Sequence, residues 1–234
     1  MKETCIVSCC YSPQHAGHRY GDYADRLEHS LNRFSPNSDR IIWRKSWPPE
    51  SPDHLSFNYA FKYYAVKEAF KQGYRYVMWL DAGTEAIAPV DKLWERTKRL
   101  GHTILRGADP LWKWISDAAL KHFGYTRERA MTMTLCGGCI VGLDQQSELA
   151  MKFFEEWGKI VKIRPLLLGA NRYNRQVGGI MRSIMLSDAD RSVISEDERV
   201  EGHRSDESCF SLIIDKLGME PLSYTEWLTV CKTY

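Results

Sequence analysis

Tyr76–Leu80 reads YVMWL, an unbroken apolar run, and the polar turn Asp81-Ala82-Gly83-Thr84 follows at once. Without polar alternation, and at this length, it reads as a strand buried on both faces. Such a strand belongs inside a sheet with helices over each side. The flanking sequence supplies them. Around Asn58–Gln72, the residues Phe57, Phe61, Tyr64, Ala65 and Glu68 recur at helical intervals, and Gly73 is placed to end the helix. Asp22–Phe34 presents Tyr23, Leu27, Leu31 and Phe34 along one helical face.

Further strands are expected at Thr4–Cys10, Arg40–Trp43 and Thr103–Leu105, with a last short one at Met219–Leu222. Thr132–Leu143 reads as a strand broken by a glycine turn. Further helices are expected at Pro89–Leu100, Trp112–Phe123, Ser147–Val161 (capped by Asp144) and Ser205–Leu217. Strands alternating with helices predict an α/β fold with a Rossmann-like, mostly parallel central sheet. The 234 residues suit one such domain over 1–234. The stretch 165–201 has no clean period and is expected to be a mobile loop or lid.

Composition narrows the function classes. A net charge of +2 argues against a strongly basic nucleic-acid binder. No stretch reaches the roughly 18 apolar residues that span a bilayer. The opening MKETCIVSCCYS lacks a cleavage site, so a cytoplasmic protein is expected. The seven cysteines are an odd number and are expected to be reduced thiols. Cys136 and Cys139 have C-x-x-C spacing, but zinc needs four ligands. Cys9, Cys10, His15 and His18 would have to complete a zinc site. The other reading is a pair of small residues in a buried strand and turn.

Asp81 is the leading site candidate. Open parallel sheets bind ligands at the carboxyl ends of their strands. A carboxylate there can hold a cation or a ribose hydroxyl, or it can simply cap a helix. A second candidate segment is Glu201–Gly218, EGHRSDESCFSLIIDKLG, where His203 precedes Asp206 by three residues and a helix follows. Imidazole and carboxylate both suit manganese, whereas magnesium prefers oxygen ligands. The plainer reading is that Ser205 and Asp206 cap that helix. Gly137-Gly138 would let backbone approach a ligand closely, or make an ordinary turn. Tyr11, just after the first strand, offers a ring for stacking on a base. Lys62 and Lys67 could meet a diphosphate or be solvated helix lysines. The P-loop and dinucleotide fingerprints are absent.

In order along the chain, these segments resemble the GT-A fold nucleotide-sugar-dependent glycosyltransferases. Tyr76–Thr84 is similar to their strand plus D-x-D element, in a variant with Gly83 at the second acid, as in small bacterial and phage-type members. The resemblance implies a hexosyl- or pentosyltransferase with a nucleotide-sugar donor, most naturally a UDP-sugar. It implies donor contacts from Tyr11, Asp81, Gly83, Gly137 and Gly138. It also implies a divalent metal, Mn2+ or Mg2+, on Asp81 and His203, with Glu85 as a substitute for the missing acid. Asp206 would be the catalytic base. The acceptor would be a glycan or, in a phage-type enzyme, a hydroxylated DNA base. Arg164, Arg172, Arg175, Arg182, Arg191, Arg199 and Arg204 favour the DNA reading, and the acids among them dilute it. Two further alternatives are a non-catalytic nucleotide- or glycan-binding protein of the same fold, and a thiol or zinc protein using Cys136 and Cys139.

Overall fold

The computed structural model describes residues 2–11, 20–54, 56–168, 170–171 and 194–233. In chain order they form β1 (Lys2–Cys9), α1 (Tyr20–Phe34), β2 (Asp39–Trp43), α2 (Ala60–Lys71), β3 (Tyr74–Leu80), β4 (Thr84–Ala86), α3 (Asp91–Leu100) and β5 (His102–Pro110). There follow α4 (Asp117–Phe123), α5 (Arg127–Met131), β6 (Thr134–Asp144), α6 (Glu148–Ile160), α7 (Arg164–Leu167), β7 (Ala170–Asn171) and β8 (Gly202–His203). The chain ends with α8 (Ser205–Leu217), α9 (Tyr224–Leu228) and β9 (Cys231–Thr233).

The central sheet has five strands in the order β2-β1-β3-β6-β5. β1 pairs parallel with both β2 and β3, whereas β6 runs antiparallel to both β3 and β5. The sheet is therefore mixed, with β6 alone running against the other four strands. The expected mostly parallel α/β sheet is thus present, with one reversed strand. Helix α5 lies between β5 and β6, and its five residues, RERAM, are too few to show a helical period in the sequence.

β3 shows why YVMWL is apolar throughout. Val77 and Trp79 enter the core shared with α2, α6 and α8, where Phe153, Trp157 and Phe210 are buried. Tyr76, Met78 and Leu80 enter the opposite core, with Leu27 and Leu31 of α1, Leu93 of α3 and Trp227 of α9. Successive side chains of a strand point to opposite faces, so both had to be apolar.

Two local expectations fail for identifiable reasons. Thr134–Asp144 is one continuous strand rather than two pieces. Its pairing with β5 jumps from Ile104↔Val141 to Leu105↔Gly137, and the residues between bulge out of that ladder. Asp144 does not cap α6; it accepts hydrogen bonds from Arg75 Nε at 3.0 Å and Arg75 Nη2 at 3.1 Å. The cap is Ser147, whose hydroxyl accepts from the Ala150 amide. Among the described residues, no helix is long and apolar enough to cross a membrane.

Candidate active site

The carboxyl end of β3 meets the β6 bulge. The Asp81 amide donates to the Cys139 carbonyl at 3.0 Å, and the Thr84 amide closes the Asp81–Thr84 turn onto the Asp81 carbonyl. Asp81 follows Trp79 in strand parity, so its side chain faces the α2 side. Trp79 Nε1 donates to Asp81 Oδ1 at 2.8 Å. Gly83 lies half-buried in the same turn.

Lys62 of α2 reaches into this corner. It is 3% exposed. Its Nζ lies 3.2 Å from Asp81 Oδ1 and 3.0 Å from Asp206 Oδ2, and donates to the Gly138 carbonyl at 2.9 Å. The rings of Tyr59 and Trp79 stand 4.8 and 5.8 Å from it. Burial works against the ammonium's charge, but Asp206, Asp81 and Glu207 outweigh it and raise the lysine above its ordinary pKa. Lys62 is thus no solvated helix lysine. Its helical position gave no signal of this, because both carboxylates come from distant parts of the chain. Lys67, by contrast, is paired with Glu50 at 2.6 Å near the surface.

Helix α8 brings Asp206 and Glu207. Asp206 is 2% exposed. Burial, helped by the charges of Glu207 and Asp81, outweighs the attraction of Lys62 and pushes its carboxyl up to about 6. Glu207 Oε1 accepts from the Gly138 amide at 3.1 Å, and its Oε2 lies 3.6 Å from Arg204. Neither Ser205 nor Asp206 caps α8. The residue before the helix is Arg204, which makes no side-chain cap. Ser205 itself takes a left-handed conformation, with φ 43°. Tyr59, before α2, does the same with φ 61°. Side chains other than glycine rarely adopt this conformation, which costs on the order of 1–3 kcal/mol. Such a residue thus stands just before the helix that presents Lys62 and at the start of the helix that presents Asp206.

The glycines divide. At Gly138 a Cβ would stand 2.8 Å from Asp206 Oδ2 and 3.0 Å from Lys62 Nζ, so glycine is needed for the ion pair to pack against the bulge. Gly138→Ala is expected to cost about 1–3 kcal/mol through this overpacking, read as a lower urea midpoint. An unchanged midpoint would show that the pair moves aside freely. Gly137 instead faces Leu105 of β5 and is not brought into the cluster. Tyr11 leaves β1 half-buried, edge-on to Trp47 at 5.1 Å. Trp47 stacks on Phe61, which lies against Trp79, so aromatic contacts link Tyr11 to the Asp81 corner.

The implied metal ligands do not come together. His203 is 2% exposed, its Nδ1 accepts from the Ser116 amide at 3.3 Å, and its Nε2 donates to the Leu166 carbonyl at 2.8 Å. Both ring nitrogens are thereby occupied by backbone groups. Glu85 points away, 3.8 Å from Arg26 and 3.3 Å from Lys232. Among the described residues, no group of three or more His, Cys, Asp or Glu side chains is arranged to hold a metal. The side chains as placed do not fit a divalent ion, because an ammonium stands between the two carboxylates.

Cys136 and Cys139 serve opposite cores, so they cannot share a zinc ion. Burial pushes the Cys136 thiol up to about 12 and raises Cys139 as well, the reverse of a reactive thiol. The expected ligands His15 and His18 lie outside the described residues, as do Arg172, Arg175, Arg182 and Arg191 and most of 165–201. Of the remaining arginines, Arg199 is paired with Asp197 at 2.7 Å, and Arg164 donates to the Ser56 carbonyl. Arg204 packs over the Trp114 ring at 4.5 Å.

Burial also sets an acid response. His203 is held neutral, with its pKa lowered from 6.5 to about 4 by desolvation. The unfolded chain binds the extra proton in that interval, so this contribution is lost as pH falls from 6.5 to 4. Asp206 runs the other way. Its folded carboxyl keeps a proton up to about 6 against an unfolded 3.8, so its contribution is lost as pH rises across that window. The two slopes therefore oppose each other between these limits. In Asp206→Asn the slope of His203 should emerge, with urea midpoints falling steadily toward pH 4. A level profile in the variant would contradict the burial of a neutral His203.

Sequence comparison matches no protein-family model and no curated protein. In structure, the chain is similar to a glycosyltransferase involved in glycosylation of the major capsid of PBCV-1, with 11% identity and a TM-score of 0.39 over 69% of this chain and 66% of that one. It is similar to mouse xyloside xylosyltransferase 1 in its apo form, with 10% identity and a TM-score of 0.47 over 94% and 84% of the two chains. It is also similar to galactosyltransferase LgtC in complex with donor and acceptor sugar analogs, with 11% identity and a TM-score of 0.37 over 69% and 66%. The chain thus spans just under two thirds of the first and last of these structures.

Proposed function

We propose that this chain transfers a glycosyl group from a nucleotide sugar, a UDP-sugar foremost, to an acceptor hydroxyl, most simply that of a glycan. One observation carries the reading. Asp81, at the carboxyl end of a buried parallel strand, shares a desolvated corner with Lys62, Asp206 and the Gly138 bulge. That edge of an open sheet is where ligands bind. The corner also holds the two kinds of group that transfer needs.

In the reaction, the acceptor oxygen bonds to the anomeric carbon as the bond from that carbon to the diphosphate oxygen breaks. The diphosphate leaves with negative charge. A preorganised ammonium in a water-poor site stabilises such charge better than one in water. Lys62, its three hydrogens held by Asp81, Asp206 and Gly138, supplies such a charge through space, and Arg204 beside Glu207 is the cation open to direct contact. With inversion, the acceptor proton passes to a carboxylate. Asp206 is the first candidate, since a carboxyl raised toward neutral pH is matched to accepting a proton. Glu207 is the more open alternative, with 27% of its side chain exposed. Asp206→Asn and Glu207→Gln separate the two: the base loses turnover, whereas a donor contact loses affinity. Tyr11 would take the base face.

A panel of nucleotide sugars read by thermal shift, with release of nucleoside diphosphate followed in parallel, tests the reading. A saturating donor at about 100 times its dissociation constant adds roughly 2.7 kcal/mol to the folded state. Stabilisation with diphosphate release supports a transferase, and stabilisation without release supports a non-catalytic binder. No response to any nucleotide sugar would sink both.

A further inference from the structure

The Lys62 ammonium has three hydrogens, and three oxygens from distant parts of the chain converge on it: Asp81 Oδ1 at 3.2 Å, Asp206 Oδ2 at 3.0 Å and the Gly138 carbonyl at 2.9 Å. The Tyr59 and Trp79 rings add electron-rich faces nearby. Two carboxylates, a carbonyl and π faces make the surroundings of a bound cation, and here the cation is covalently part of the chain. We infer that Lys62 is the resident cation of this site, standing where a divalent metal would sit between Asp81 and Asp206, and that the site binds its ligand without a divalent metal.

Three further observations bear on this. A metal on carboxylate oxygens at about 2.0–2.6 Å would need the space that Nζ fills, and the fixed positive charge would repel it. The other expected ligands are committed elsewhere: His203 to two backbone groups, Glu85 to Arg26 and Lys232, while Gly83 has no side chain. The backbone is also shaped around the ion pair. A Cβ at Gly138 would stand 2.8 Å from Asp206 Oδ2 and 3.0 Å from Lys62 Nζ, so the pair would have to shift, and a left-handed residue that is not glycine precedes α2 and starts α8. Asp206 Oδ2 lies 3.0 Å from Nζ, so the two buried charges are in direct contact.

The inference rests on the donor reading only for the identity of the ligand. Its core test uses Mn2+ alone, with the free ion followed by electron paramagnetic resonance. Wild type is expected to take up no Mn2+ at millimolar concentration. Lys62→Ala should leave the two carboxylates and the carbonyl around an empty position, with at least about tenfold more uptake than wild type. Adding Asp206→Asn should remove that gain, since perturbing a metal's surroundings typically costs 10–100-fold in affinity. Stoichiometric Mn2+ binding by wild type that Asp81→Asn abolishes would overturn the inference. So would a folded Lys62→Ala with no more uptake than wild type. If Lys62→Ala does not fold, the comparison of wild type with Asp81→Asn decides alone. A second arm measures the thermal shift produced by UDP in EDTA and in Mn2+. Equal shifts are expected, and a shift that requires Mn2+ would overturn the inference. No shift in either medium would count against the donor reading and leave the Mn2+ titration standing.

Discussion

Lys62→Met is expected to destabilise the fold by about 3–5 kcal/mol, the usual cost of removing one partner from a buried pair. The loss comes from what remains. Asp206 is 2% exposed, and without Lys62 it faces Asp81 and Glu207 with no buried counter-charge. Adding Asp206→Asn removes the stranded charge and should recover most of the stability, giving a coupling energy of about 2 kcal/mol or more in a double-mutant cycle. Acid should shrink the single-mutant loss, because a protonated Asp206 no longer needs a partner. Urea denaturation of the four proteins near neutrality and near pH 5 measures all of this. A single-mutant cost below about 1 kcal/mol, the range of exposed ion pairs, would mean that the Lys62 pair is solvated.

Asp81→Asn should abolish the proposed glycosyl transfer with little effect on folding. Asp81 has 34% of its side chain exposed, so the amide is not trapped in a dry core. Its carbonyl can still accept from Trp79 Nε1, which keeps the turn in place. What disappears is the negative charge that helps to hold Lys62 between Asp81 and Asp206. Diphosphate release should fall by about 100-fold or more, the scale seen when one preorganised electrostatic group is removed. The melting temperature should move by only a few degrees. Activity equal to wild type would remove Asp81 from the mechanism, and a collapsed melting curve would make it a structural residue.

Both expectations depend on a residue pair that was only half visible in the linear chain. Asp81 stood out because an unbroken apolar strand ends on it. Asp206 is marked by its place three residues after His203 at the head of an amphipathic helix, which runs from Ser205 to Leu217. Lys62 reads no differently from Lys67, as a lysine that could meet a diphosphate or be solvated. It occupies an ordinary position on a helix rich in aromatic residues, and helical periodicity says only which face is apolar. His203 misled for a related reason. Its spacing to Asp206 resembled a ligand pair, but the short strand β8 turns the imidazole toward the Ser116 amide and the Leu166 carbonyl.

The sequence by itself determined the layers of this protein. Uninterrupted apolar strands need cover on both faces, helical periods of apolar residues supply it, and Asp81 must then emerge at a strand's carboxyl end. These are short-range facts, carried by side-chain periods of two and 3.6 residues. The tertiary structure decided the rest: the reversal of β6, its bulge at Gly138, and the meeting of residues 62, 81, 138 and 206 around one ammonium. Whether a lysine is solvated or buried depends on which carboxylates the fold brings to it. Those carboxylates lie 19 and 144 residues further along the chain, far beyond the reach of any local pattern.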